Sequence, residues 1–152
     1  MCRRVRAALL WLLVFVATVS GQTPATKNPL IGAWQVTEID NPNQPPITNL
    51  RASLYVFSER YYNFARVSKP LPPYPSNDKA TEADKAAVFD ALYLNAGSYT
   101  VSGKMLTTKV TVAKSAFVME GAGAQYEFSV SGNALVLAQK PSGATLKLVR
   151  LD

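Results

Sequence analysis

Residues 97–150 read GSYTVSGKMLTTKVTVAKSAFVMEGAGAQYEFSVSGNALVLAQKPSGATLKLVR, and the punctuation of that stretch decides the fold. Ser102-Gly103, Gly121-Ala122-Gly123, Ser131-Gly132-Asn133 and Pro141-Ser142-Gly143 are turn-forming clusters that separate runs of five to ten residues. Within the runs, apolar residues recur with a period of two, the spacing that places them on one face of a strand. The inward parity then holds Tyr99 and Val101; Leu106, Thr108, Val110 and Val112; Tyr126, Phe128 and Val130; Leu135 and Leu137; and Leu146 and Leu148. This is an antiparallel meander.

Upstream of the meander the pattern changes once. Residues 81–93 predict a helix: Thr81 and Asp84 form an approximate capping box, and Ala83, Lys85, Ala86 and Ala87 are good helix formers. Val88, Ala91 and Leu92 make its apolar stripe, which is expected to lie on a sheet or close one end of a barrel. Residues 69–75 hold four prolines and favour polyproline geometry, a semi-rigid strap over the surface. Residues 52–67, rich in aromatic and β-branched side chains around Ser58-Glu59-Arg60, predict a hairpin. Pro42, Pro45 and Pro46 mark a stiff loop before it, and residues 31–39 alternate as a first strand. The total is about eight sequential strands with one helix between the third and fourth. An all-β, eight-stranded antiparallel up-and-down barrel follows, because closure removes the unpaired edges that invite aggregation. Its interior is expected either to be filled by side chains or to hold one small ligand.

The front of the chain reads as an address. Arg3, Arg4 and Arg6 precede a 13-residue apolar run, Ala7 to Val19, and then Ser20 and Gly21. That run falls short of the ~20 residues that cross a bilayer as a helix, so residues 1–21 are expected to be a cleaved secretory signal peptide. A polar, proline-bearing linker over 22–29 leads to a barrel domain over 30–152. The location implied is secreted or periplasmic, with no stable membrane span after cleavage. Cys2 lies ahead of the apolar run, where a lipoprotein signal has its acylated cysteine behind it. It is the only cysteine, so the mature chain folds without disulfides.

Composition excludes several chemistries. With no His among 152 residues, there is no Ser-His-Asp triad, Cys-His pair or His-ligated zinc. The formal +6 falls to +3 when Arg3, Arg4 and Arg6 leave with the leader. No basic run follows, so nothing resembles a phosphate footprint for nucleic acid. The acids Asp78, Glu82, Asp84 and Asp90 sit around the predicted helix start, where its dipole favours them, and need no metal to explain them. No cofactor is called for.

Gly32-Ala33-Trp34 at the start of the first strand resembles the Gly-x-Trp signature of lipocalins. Arg150 is similar in position to the basic residue that packs across that tryptophan at the closed end of the barrel. The block 87–91 through 96–103, a short helix before a Gly-x-Tyr strand and a hairpin, resembles the bacterial lipocalin-like domain family. The likeness covers roughly Leu30 to Leu151 and implies a calycin-type barrel with Trp34 and Arg150 as its structural base. Members of that family often carry a histidine where this chain has Leu106-Thr107-Thr108-Lys109, so no role for such a residue carries over. The family label implies architecture more than activity.

Candidate ligand contacts follow from parity. Tyr62, Phe64, Tyr99, Tyr126 and Phe128 are expected as walls, since a tyrosine offers an apolar ring and a polar handle. If the first strand stays regular, Glu38 points inward above the plug, where a lone carboxylate is costly without a partner. Arg66, on the parity of Tyr62 and Phe64, is its nearest candidate partner. Alternatively the strand ends by residue 38 and both side chains sit at a solvated rim. The function expected is binding of a small apolar or amphipathic molecule. Two others stay open: an interaction module that docks an envelope protein through its proline loops and outer aromatics, and an isomerase or cyclase that acts by confinement.

Overall fold

Eight strands close into one antiparallel barrel in sequence order, with the last pairing back onto the first. The computed structural model describes residues 28–48, 50, 52–73 and 76–151. The expected leader 1–21 and most of the linker 22–29 lie outside the described residues. The strands are β1 (Gly32–Asp40), β2 (Ser53–Phe57), β3 (Tyr61–Val67), β4 (Leu92–Ser102), β5 (Met105–Ala113), β6 (Gln125–Ser131), β7 (Ala134–Lys140) and β8 (Thr145–Arg150). Helix α1 (Glu82–Ala91) lies between β3 and β4, and a five-residue helix α2 (Ala116–Glu120), which the sequence reading did not anticipate, lies between β5 and β6. Among the described residues, no helix is long and apolar enough to cross a membrane.

The connections differ between the two ends. Short turns at 58–60, 103–104 and 132–133 join the strands at the end where β1 begins and β8 ends. The other end carries the longer segments 41–52, 68–91, 114–124 and 141–144, which include both helices. The alternation in the strands packs Trp34, Val36, Tyr55, Phe57, Tyr62, Tyr99, Leu106, Phe128, Leu135, Leu137 and Leu148 into the barrel, with Leu30 beneath them. Each such side chain removed from water contributes on the order of 2 kcal/mol.

The base is built around Trp34. Its Nε1 donates to the carbonyl of Leu30 at 2.7 Å, and the Arg150 guanidinium lies 4.1 Å from the ring centroid. Arg150 also donates to the carbonyls of Ile31 at 2.7 Å and Pro29 at 2.9 Å. Trp34 and Arg150 are direct partners in the β1–β8 ladder, so antiparallel pairing of the chain ends brings the cation onto the indole.

Two bulges change which side chains face inward. In β1 the register slips between Val36, opposite Leu148, and Glu38, opposite Lys147. Ile39 therefore turns toward the core and Glu38 turns out. In the β4–β5 ladder the slip between Ala96 and Gly97 leaves Thr111 unpaired, and Val112, expected inside, is exposed. Val101, also expected inside, is exposed near the end of β4, beyond the packed core.

Helix α1 has the expected cap: Asp84 N donates to Thr81 Oγ1 at 3.1 Å and Thr81 N donates to Asp84 Oδ2 at 3.0 Å. It is shorter than 81–93, because Leu92 and Tyr93 already pair with Val67 and Arg66 as the start of β4. Of its described stripe only Ala91 is buried, and Phe89 stays 55% exposed, so α1 rides at the rim instead of sealing it.

Candidate functional site

The barrel wall has a gap. β5 runs on to Ala113, but β6 pairs with it only from Met105–Glu127 to Thr107–Gln125. Above that point the segment leading into β6 runs close beside β5. Thr108 N donates to the Ala124 carbonyl at 2.9 Å, and the Thr108 hydroxyl both accepts from Ala124 N at 3.0 Å and donates to the Ala124 carbonyl at 3.1 Å. Gly123 makes the approach possible: its φ is +78°, and a Cβ there would stand 1.9 Å from the Thr108 carbonyl oxygen. Helix α2 lies against β5 over the gap, held to Ser115 by backbone bonds from Val118 and Met119.

Behind α2 lies a chamber of about 400 Å³. Tyr55, Tyr62 and Tyr126 supply rings and hydroxyls, Thr108, Gln139 and Asn95 supply further polar groups, and Val110 and Val118 supply apolar wall. No carboxylate, ammonium or guanidinium lines it. Burial pushes the Tyr55 phenol well above its ordinary 10.0, and the neighbouring Tyr126 and Tyr62 oxygens push the same way. Burial also raises Tyr126, partly offset by its contact with Tyr55. Tyr62 is raised by burial, with Thr108 pulling it back. All three are therefore neutral hydrogen-bonding phenols around neutral pH. The chamber can solvate a ligand's polar atoms without supplying charge, in a volume typical of small-molecule sites.

The structure distributes the predicted site residues over several places. Tyr62 and Tyr126 line the chamber. Phe64 stands just behind, its ring stacked on Tyr55 at 4.7 Å. Tyr99 belongs to the floor: Asn28 Nδ2 donates to its hydroxyl at 2.8 Å, its hydroxyl donates to the Ser58 carbonyl, and its ring meets Phe57 edge-on at 5.3 Å. Phe128 is buried in the core and does not line the chamber. Glu38 and Arg66 are not brought together. The β1 bulge sends Glu38 to Lys147, at 2.7 Å on the outer surface, while Arg66 lies at the rim, its guanidinium 4.7 Å from the Tyr93 ring centroid. Tyr55, Asn95, Val118 and Gln139 are chamber residues that sequence reasoning did not single out as ligand contacts. Parity with Phe57 carried the signal for Tyr55; nothing local marked Gln139 or α2.

A second hollow of about 490 Å³ adjoins the chamber between α1 and α2. Asn95 and Val118 belong to both, and Phe89, Asp90, Tyr93, Leu94, Lys114 and Ser115 complete it. Among the described residues no group of three or more His, Cys, Asp or Glu side chains gathers in a metal-holding arrangement.

The fold is lipocalin-like. Solved structures similar to it include a lipocalin-like protein from Bacteroides uniformis ATCC 8492, at 11% identity and a TM-score of 0.53, covering 82% of this chain and 100% of that one. An uncharacterized protein from Bacteroides eggerthii DSM 20697 is similar at 9% identity and a TM-score of 0.52, over 80% of this chain and 98% of that one. Identities this low speak to the fold alone. Neither a protein-family model nor a curated protein matches the sequence.

Proposed function

We propose that the mature chain is an exported barrel that binds a small apolar or amphipathic molecule in the chamber beneath α2. The observation that carries this reading is the chamber itself: about 400 Å³ of space lined by tyrosine rings and uncharged polar groups inside an otherwise packed barrel. Rings that shelter an apolar body beside neutral hydrogen-bonding groups that orient it are what a small-molecule site requires. Export is supported by the leader-like residues 1–21.

The test uses N-phenyl-1-naphthylamine, an uncharged apolar dye that brightens when shielded from water. Bright, saturable binding is expected, and V110W, which fills the chamber from its β5 wall, is expected to weaken it at least about tenfold while leaving the protein folded. No saturable binding, or equal binding by V110W, refutes the reading. A second reading, docking of another envelope protein, is favoured by Leu71, 47% exposed within the second proline loop. Under it L71S is the damaging change, and V110W is harmless.

A further inference from the structure

Lys114 occupies an unusual position for a cation. It is half-buried in the hollow between α1 and α2, with Nζ 4.5 Å from the Phe89 ring centroid and 5.9 Å from that of Tyr93. Among the described residues one of its three N–H groups is used, donating to the Phe89 carbonyl at 2.8 Å. No carboxylate among the described residues pairs with it, although Asp90 also lines the hollow. Arg66 rests on the same Tyr93 ring at 4.7 Å, with its Nε buried and without a hydrogen-bond partner among the described residues. Two cations thus flank one aromatic side chain, neither paired with a carboxylate among the described residues, while the adjoining chamber is lined by no charged group.

We infer that the ligand is an organic acid with an apolar or aromatic body. Its anionic group sits against Lys114 in the hollow, and its body reaches the tyrosine chamber past Asn95 and Val118. This rests on the chamber reading above and names its ligand class. The two compartments divide the work by chemistry. The chamber takes surface that prefers neutral surroundings, and the hollow supplies unused N–H donors and a positive field where an anion is desolvated least. Phe89 and Tyr93, both more than half exposed, give the body further ring surface along the way. Asn95 and Val118, the latter on a five-residue helix, line both compartments.

The experiment compares two dyes that share one ring system: 8-anilino-1-naphthalenesulfonate, which bears an acid group, and uncharged N-phenyl-1-naphthylamine. The readout is the ratio of their affinities. K114M is expected to cut the sulfonate preference about tenfold, the effect of removing one charge-assisted hydrogen bond. K104M, which removes the same charge from the exposed turn at the opposite end, is expected to leave the ratio as it is. Should K114M fold poorly, salt gives the same answer on the unmodified protein: between about 20 and about 300 mM NaCl the ratio is expected to fall severalfold. If the uncharged dye binds and the ratio responds to neither K114M nor salt, or responds equally to K104M, the acid inference is overturned while the chamber reading stands. If neither dye binds, the chamber reading falls and takes this inference with it.

Discussion

Arg150 shows how much one side chain at a strand end can hold. Its guanidinium faces the Trp34 ring and donates to two carbonyls of the entering segment, so it ties β8, β1 and residues 29–31 together. R150M is expected to destabilise the protein by about 2 kcal/mol, the sum of a sheltered cation–π contact and two charge-assisted bonds less what solvent returns. R150K, which keeps the charge but cannot fork to both carbonyls, is expected to fall between, and urea midpoints of the three proteins check the order. The partnership of Trp34 and Arg150 was legible through the resemblance of Gly32-Ala33-Trp34 and Arg150 to the lipocalin pattern, and antiparallel pairing of the chain ends gives it a physical reason. The fate of Glu38 was not. One unpaired residue, Thr37, reverses the inward parity beyond Val36, and nothing in the alternation of residues 31–39 marks where the slip occurs.

At the scale of elements, the seam between β5 and β6 is the barrel's least regular part. Its closure above Thr107 depends on Thr108 and on a glycine. G123A is expected to cost at least about 2 kcal/mol, because it sets a Cβ against the Thr108 carbonyl and requires a left-handed backbone of an alanine. It is also expected to speed amide exchange through residues 115–124 more than in β7 or β8, which hydrogen-exchange mass spectrometry reads directly. The strand runs of the meander were legible from turn chemistry, and α1 from its capping box. Helix α2 was not: five residues carry no helical period, and Ser115 makes no side-chain cap. Its existence follows from a tertiary fact, that β6 pairs with only the first part of β5, and such facts leave no local trace.

At the scale of the whole molecule, stability is coupled to pH through its buried phenols. Burial raises the pKa of Tyr55, Tyr62, Tyr99 and Tyr126, so each gives up its proton less readily than a free phenol. The folded barrel therefore holds their protons more tightly than the unfolded chain does. Stability is expected to be level, as far as these groups contribute, below their ordinary value near 10.0 and to fall as pH rises above it, since the unfolded chain then loses protons that the fold retains. Urea midpoints measured from about pH 8 to about pH 11 check the direction, and Y55F, which cannot titrate, is expected to flatten the decline.

The split between the two ends, with tight turns below and long connections above, has a further consequence when set beside the seam. The chamber's least regular wall is on the flank, where β6 pairs with only the first part of β5. The β1–β2 and β7–β8 connections, which touch where Pro42 meets Gly143, supply none of the chamber's lining among the described residues. If the chamber binds a small molecule as proposed, foreign peptide segments spliced into either one are expected to leave its lining intact, making the barrel a natural chassis for a sensor.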